Sequence, residues 1–329
     1  FTGFAVSGGD VRIEGRGLLA GNVDYFDIVT GLAAINANLF ARDIVIAGGN
    51  GEFDYASRSA RPSGPGNAQV AIDSSLLGGM YANRIRLIGT GDGVGINLKG
   101  LVNALEGPLD IRSDGAIVVR NAAAATDVSI RSASSGVTVE GPIYSGANAT
   151  IEAFRNIDVS GDLLGAAHGV SLKSGADITL AVEGLYAGLS SDGRFGANGS
   201  VSLSASGTVK TAHVRTIASE DFSLSANIVQ LDAQSLFSAR NIIIAAGSGL
   251  DTNAVAEATG NLSLSGDSLR LAGSIIANDS LNIRGRTVQA SGRLTGLAGL
   301  VLEAPQALEA GNGAMLESAG LLALTGGSI

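Results

Sequence analysis

At 329 residues with 48 Gly, 5 Pro and no Gly-X-Y period, the sequence is not collagenous, and its 45% hydrophobic content is too high for disorder. A net charge of −9 without a basic run argues against nucleic acid or an anionic membrane surface as partner. The absence of Cys removes disulfides and thiolate metal sites, and apolar runs such as Ile242 to Ala246 fall far short of the ~18 residues of a membrane span.

Aromatics make up only 4% of the chain, so any core must be built from small aliphatic side chains in thin layers. The chain opens at Phe1 with neither Met nor a charged-then-apolar leader, which reads as a mature or excised fragment.

From the first residues onward a five-residue pattern recurs: apolar, any, apolar, any, small. It begins at Val11, Ile44, Ile85, Leu109, Val128, Ala149, Val170, Val201, Phe222, Ile242, Leu262, Leu281, Leu300 and Leu322. The copy at Ala149 is the weakest, with Ile151 as the alternative first position. Period-2 alternation describes a strand with one buried face. From Val201 onward the copies are spaced by 19 to 22 residues, which lets each strand pair with its counterpart one coil away. The spacing predicts an all-β chain, a right-handed parallel β-helix (β-solenoid) with coils of about 20 residues. Coils stacked at ~4.8 Å would give a rod of about 65 Å. Apolar residues at helical spacing are lacking, as are the fixed Asn and helical half of a leucine-rich repeat.

Three intervals are longer: 33 residues after Val11, 41 after Ile44 and 31 after Val170. They hold extra coils or insertions. Residues 48–69 contain Gly48-Gly49-Asn50-Gly51 and Pro62-Ser63-Gly64-Pro65-Gly66 and are expected to leave the coil as an excursion. Residues 183–199, with Ser190-Ser191-Asp192-Gly193 at their centre, form a second candidate.

Some β-helices cleave polysaccharides with paired carboxylates beside Arg or Lys on neighbouring coils. The outward positions of the repeat test this. One column reads Arg12, Val45, Arg86, Asp110, Ser129, Thr150, Ser171 and onward through Ser202, Ser223, Ile243 and Ser263; the other begins Glu14, Ala47, Ile88, Arg112, Arg131, Glu152 and Lys173. No two acids are neighbours in either, and most later positions are Ser, small or apolar. No catalytic, cofactor-binding or metal-binding residues are assigned, and no cofactor is expected. His168 and His213, the two histidines, read as surface or corner residues rather than a metal pair. Thr90-Gly91-Asp92-Gly93-Val94-Gly95 reads as a tight turn rather than a calcium or dinucleotide loop, because it occurs once and lacks a βαβ context. Tyr25, Phe26, Phe40, Phe53 and Tyr55 are expected to pack the excursions onto the coils, with a binding patch as the alternative. Asn148-Ala149-Thr150 and Asn198-Gly199-Ser200 match the glycosylation pattern, which is common by chance.

Asn22-Val23-Asp24-Tyr25-Phe26-Asp27-Ile28-Val29, Ile35-Asn36-Ala37-Asn38-Leu39-Phe40-Ala41 and the run Val70 to Thr90 with Gly78-Gly79-Met80-Tyr81-Ala82 carry a family resemblance. Residues 22–98 resemble the N-terminal secretion region of large exoproteins of the filamentous haemagglutinin and contact-dependent growth inhibition (CdiA-type) family. Residues 99–329 are similar to the haemagglutinin repeats by pattern. The resemblance implies residues 1–113 as the C-terminal part of a two-partner-secretion domain, continuous with β-helix repeats over 114–329. It implies export through a dedicated outer-membrane transporter and a place on the surface of a Gram-negative bacterium. The early Asn-Pro-Asn motifs of the family are missing, so the front of that domain is expected to be absent. The function expected is a non-catalytic structural shaft of a filamentous adhesin or growth-inhibition effector, with any target-cell or host receptor contacted through other parts of the parent protein. The alternative is a carbohydrate-active β-helix enzyme, and a third reading has residues 48–69 and 183–199 contacting a glycan.

Overall fold

A computed structural model describes residues 3–62, 69–196 and 198–327. Every regular element among the described residues is a β-strand. The strands of the larger of two sheets wind into parallel coils, each hydrogen-bonded to its counterpart one coil away. The architecture is a parallel β-solenoid. The chain divides into two compact units, residues 1–161 and 162–329.

In the first unit each coil contributes strands to three ladders. One begins Asp10–Ile13, Leu32–Ile35, Val70–Ser74. The second begins Leu18–Ala20, Leu39–Ala41, Met80–Ala82. The third runs Phe26–Thr30, Asp43–Gly49, Arg84–Thr90, Leu109–Ser113, Val128–Ser132, Ala149–Ala153. Parallel register puts like positions on top of one another. Ile28, Ile46, Leu87, Ile111, Ile130 and Ile151 therefore form one buried inward stack. Each such side chain contributes about 1.5–3 kcal/mol on full burial. Aliphatics dominate these stacks, though Phe222 and Phe237 are also fully buried, their rings 5.1 Å apart.

The second unit repeats the plan. Its third ladder joins Val170, Val201, Phe222, Ile242, Leu262, Leu281, Leu300 and Leu322 in direct register. Just before these inward residues, Asp221, Asn241, Asn261 and Ser280 form a polar corner. Asn241 donates to the Asp221 carboxylate (2.9 Å), and the Asn241 and Asn261 side-chain oxygens accept the backbone N–H of Asn261 and Ser280 (3.1 and 3.3 Å). Corner donors that the ladders leave unpaired are satisfied in this way.

The small fifth position of the repeat has a specific cause. It points inward at the corner, where Ser113, Ser132 and Ser174 are buried. Their hydroxyls bond corner carbonyls, Ser132 to Gly115 at 2.8 Å and Ser174 to Asp177 at 2.9 Å. Other corners admit no side chain at all: a Cβ on Gly292 would lie 2.0 Å from the Gly273 carbonyl oxygen one coil away.

Three sequence expectations change. Val11 does not share a column with Ile44. It pairs with Ala33 in the first ladder, and the partner of Ile44 is Phe26, in the alternating stretch Phe26-Asp27-Ile28. Arg12 and Glu14 accordingly leave the outward columns, and Asp27 and Val29 take their places. The intervals after Ile44 and Val170 hold insertions and not extra coils, since Ile44 pairs directly with Ile85 and Val170 with Val201, whereas the interval after Val11 holds a further rung, Phe26–Thr30. Ala149 is the first position of its copy, opposite Val128.

Both excursions begin later than expected. Gly48 and Gly49 stay in the coil, paired with Gly89 and Thr90, with Gly49 in the left-handed region (φ 105°) where the chain leaves. Residues 63–68, with most of the Pro62 to Gly66 run, lie outside the described residues. Residues 183–187 also remain in a coil strand, Ile178–Ala187, paired through Ala187 with Ala218. The second excursion starts at Gly188 (φ 85°), is closed by an antiparallel bridge between Leu189 and Phe195, and sets Phe195 edge-on against Tyr186 at 5.5 Å.

Candidate functional site

The first excursion is a β-hairpin of Gly51–Asp54 and Ser59–Pro62, with Gly3–Val6 adding a third antiparallel strand. It covers the outer side of the third ladder in the first unit. Phe53, 2% exposed, lies on Val45 and Ala47, with Val29, Ala60 and Ile88 around it. This explains why the outward positions at Val29, Val45, Ala47 and Ile88 are apolar where later coils carry Ser.

The hairpin turn, residues 55–58, is built by Asp54, whose carboxylate accepts the Ser57 N–H (2.7 Å) and hydroxyl (2.6 Å). The Ser57 hydroxyl and N–H hold the Asp54 carboxyl below its ordinary pKa. Arg58 closes the turn in the left-handed region (φ 49°) and aims its guanidinium down at the coils. There it pairs with Asp27, lies 3.7 Å from Asp43, and packs 4.5 Å over the Tyr25 ring.

Neighbouring rungs extend the network. Arg84 donates to Asp43 (3.1 Å), and this carboxylate raises the guanidinium pKa further. Arg86 donates to the Arg58 carbonyl (3.3 Å) and lies 3.7 Å from Asp110, which also accepts from Arg112 (2.7 Å). Asp27, Asp43, Asp110 and Arg58 are largely buried, whereas Arg84, Arg86 and Arg112 reach solvent. Between hairpin and coils lies a groove of about 560 Å³ lined by Tyr25, Tyr55, Arg58, Arg84, Arg86, Asp110 and their neighbours. A second groove of about 410 Å³ adjoins it, sharing Tyr25, Asp43 and Arg84.

Of these residues, the outward columns of the repeat contained Val45, Arg86, Asp110 and Arg112. Asp27, Asp43, Arg58 and Arg84 stand in neither of those columns. Reading Phe26-Asp27-Ile28 as a copy of the repeat would have added Asp27; Arg58 arrives from the hairpin and has no column to betray it. The aromatic expectation divides. Phe53 packs the excursion down and Tyr25 stacks on its turn, whereas Phe40 stacks on Tyr81 (4.9 Å, 12°) and Tyr55 stays exposed. Gly91 and Gly93 take left-handed turn conformations, and Gly93 N–H donates to Asp114 (2.6 Å). His168 and His213 are exposed, and His213 (φ 60°) donates its N–H to Asp232 (3.2 Å).

Residues 1–119 match the TPS secretion domain. The chain is 34% identical over 288 residues, 87% of its length and 9% of the relative's, to the tRNA nuclease CdiA of Yersinia mollaretii. It is 40% identical over 148 residues (44% of this chain, 4% of the relative) to the 16S rRNA endonuclease CdiA of Enterobacter cloacae. It is 37% identical over 121 residues (36% and 4%) to the tRNA nuclease CdiA-2 of Burkholderia pseudomallei. No solved structure matches it. A solenoid with a secretion domain over its first 119 residues is a secreted, cell-surface exoprotein of a Gram-negative two-partner system. The chain belongs to the CdiA-type family of these exoproteins. It spans less than a tenth of the length of these relatives.

Proposed function

We propose that this stretch engages an outer-membrane two-partner-secretion transporter during export and then serves as a non-catalytic part of the exoprotein's shaft. The similarity over 87% of the chain carries the reading, because it runs from the secretion domain through the repeats. The nuclease names belong to those relatives as wholes. In this reading, toxin or adhesin activity and contact with a target-cell or host receptor reside in other parts of the parent protein, and this acidic segment takes no nucleic acid.

The physics of the coils supports the route. A chain threaded through a pore crosses unfolded, and a coil needs only its predecessor as a template to fold on the far side. Absence of Cys is compatible with such threading. Co-expression of the signal-bearing chain with the transporter of its own system tests the proposal. The folded segment is expected in the medium only when the transporter is present. Equal release without it, or nuclease or polysaccharide-cleaving activity of the purified segment, would overturn the reading.

A further inference from the structure

We propose that the groove beneath the hairpin of the first unit binds a neutral oligosaccharide. Tyr25 and Tyr55 line it while keeping 61% and 60% exposure, so the Tyr55 ring and the side of the Tyr25 ring away from Arg58 meet solvent at a concave site. Such rings stack on the C–H faces of pyranose sugars, and their hydroxyls supply a polar edge. The guanidiniums of Arg84 and Arg86 and the carboxylate of Asp110 also line the groove, fixed by their ion pairs. Held donors and acceptors of this kind suit sugar hydroxyls, which both donate and accept.

The charge balance selects the ligand class. Asp27, Asp43 and Asp110 equal Arg58, Arg84 and Arg86 in number and pair with them in the lining, so the groove carries no net formal charge to favour a sulfated or uronic-acid chain. Its volume of about 560 Å³ lies in the ~300–1,000 Å³ range of small-ligand sites. The adjoining groove shares Tyr25, Asp43 and Arg84, which leaves a path for more than one sugar ring. Each of the three carboxylates holds an arginine, so the free acid and base that glycoside cleavage needs are not supplied, and the site binds without cutting.

The five tyrosines and the absence of Trp make tyrosine fluorescence a direct probe. The folded chain is titrated with maltotriose, cellotriose and chitotriose, and with trigalacturonate as the anionic arm. Saturable binding of at least one neutral trisaccharide is expected. Tyr55→Ala and Arg84→Ala should each weaken it by about tenfold, whereas Phe154→Ala, an exposed aromatic outside the groove, should leave it unchanged. Far-UV circular dichroism verifies that each variant keeps its β content. No saturable response to any of the three up to about 20 mM, tighter binding of trigalacturonate, or undiminished binding by Tyr55→Ala would overturn the proposal.

Discussion

Truncation of Phe53 to Ala isolates what the hairpin owes to its apolar underside. Phe53 is 2% exposed and is the large side chain that the hairpin lays on Val45 and Ala47. Removing a buried Phe ring from a protein interior costs about 3–5 kcal/mol, and a hairpin that can settle onto the gap recovers part, leaving ~2–3 kcal/mol. That loss falls on the hairpin and not on the coils, whose inward stack at Ile46 and Leu87 does not contain Phe53. Local opening should rise roughly 30- to 150-fold, at 1.4 kcal/mol per factor of ten. Native-state hydrogen exchange reads this directly. Protection should fall by that factor at the amides of residues 51–54 and 59–61, and stay within about twofold at Leu87 and Ile111. Unchanged protection in the hairpin, or an equal fall in the coil strands, would refute the assignment of the hairpin as a separately opening cover.

Ile244, 1% exposed and stacked between Leu224 and Leu264, should not tolerate Lys; Ile244→Lys is expected to cost more than about 4 kcal/mol, while Ser263→Lys on the outward side changes melting by less than ~0.5 kcal/mol. Gly292→Ala forces a Cβ to 2.0 Å from the Gly273 carbonyl and should lower thermal stability by about 1–3 kcal/mol, read from denaturant midpoints. Thr216 has a buried hydroxyl without a partner, so Thr216→Val should raise stability by about 1 kcal/mol in the same assay. Burial of Asp232 opposes its ionisation, yet the Ser235 hydroxyl, the His213 and Gln234 amides and the Thr211 hydroxyl hold its pKa below the ordinary value. A depressed carboxyl stabilises the fold above its unfolded value of about 3.9 and loses that contribution as pH falls through the folded one. Melting temperature should therefore drop below about pH 4, and Asp232→Asn should be less stable at pH 7 with a shallower acid limb.

The coils were legible because within each unit an inward column, from Ile44 to Ala149 and from Val170 to Leu322, repeats at nearly constant spacing outside the insertions, and parallel pairing converts that spacing into stacking. The column was lost at its start for a physical reason. In the first coil Val11-Arg12-Ile13 alternates as well as Phe26-Asp27-Ile28 does, but belongs to a different ladder. The insertions were visible in length and blurred in extent, since Gly48-Gly49 and Glu183-Gly184 look like loop yet hold coil register. The groove was least legible. Its residues come from successive rungs and from a hairpin turn, so no local pattern brings Arg58 to Asp27, 31 positions away. The one visible clue was the run of apolar outward residues Val45, Ala47 and Ile88, which need a cover and have one.

Parallel pairing between successive coils also sets the distance in sequence over which the fold must be decided. Ladder partners are separated by as few as 18 residues, as Phe26 is from Ile44, commonly by 19 to 22, and by 41 at the first insertion, between Ile44 and Ile85. A separation of 19 or 20 in 329 residues is about 0.06 of the chain, close to the relative contact order of helical bundles (~0.07–0.12) and well below that of β-sandwiches (~0.16–0.22). An all-strand protein with contacts this local closes only short loops at each step and does not carry the slow search usual for parallel sheets. The strand Gly3–Val6 is the exception, since its partners at Gly51–Asp54 follow 45 to 51 residues later. In a chain released from its N-terminus, that strand waits through two further rungs of the third ladder, Phe26–Thr30 and Asp43–Gly49, before its own pairing exists.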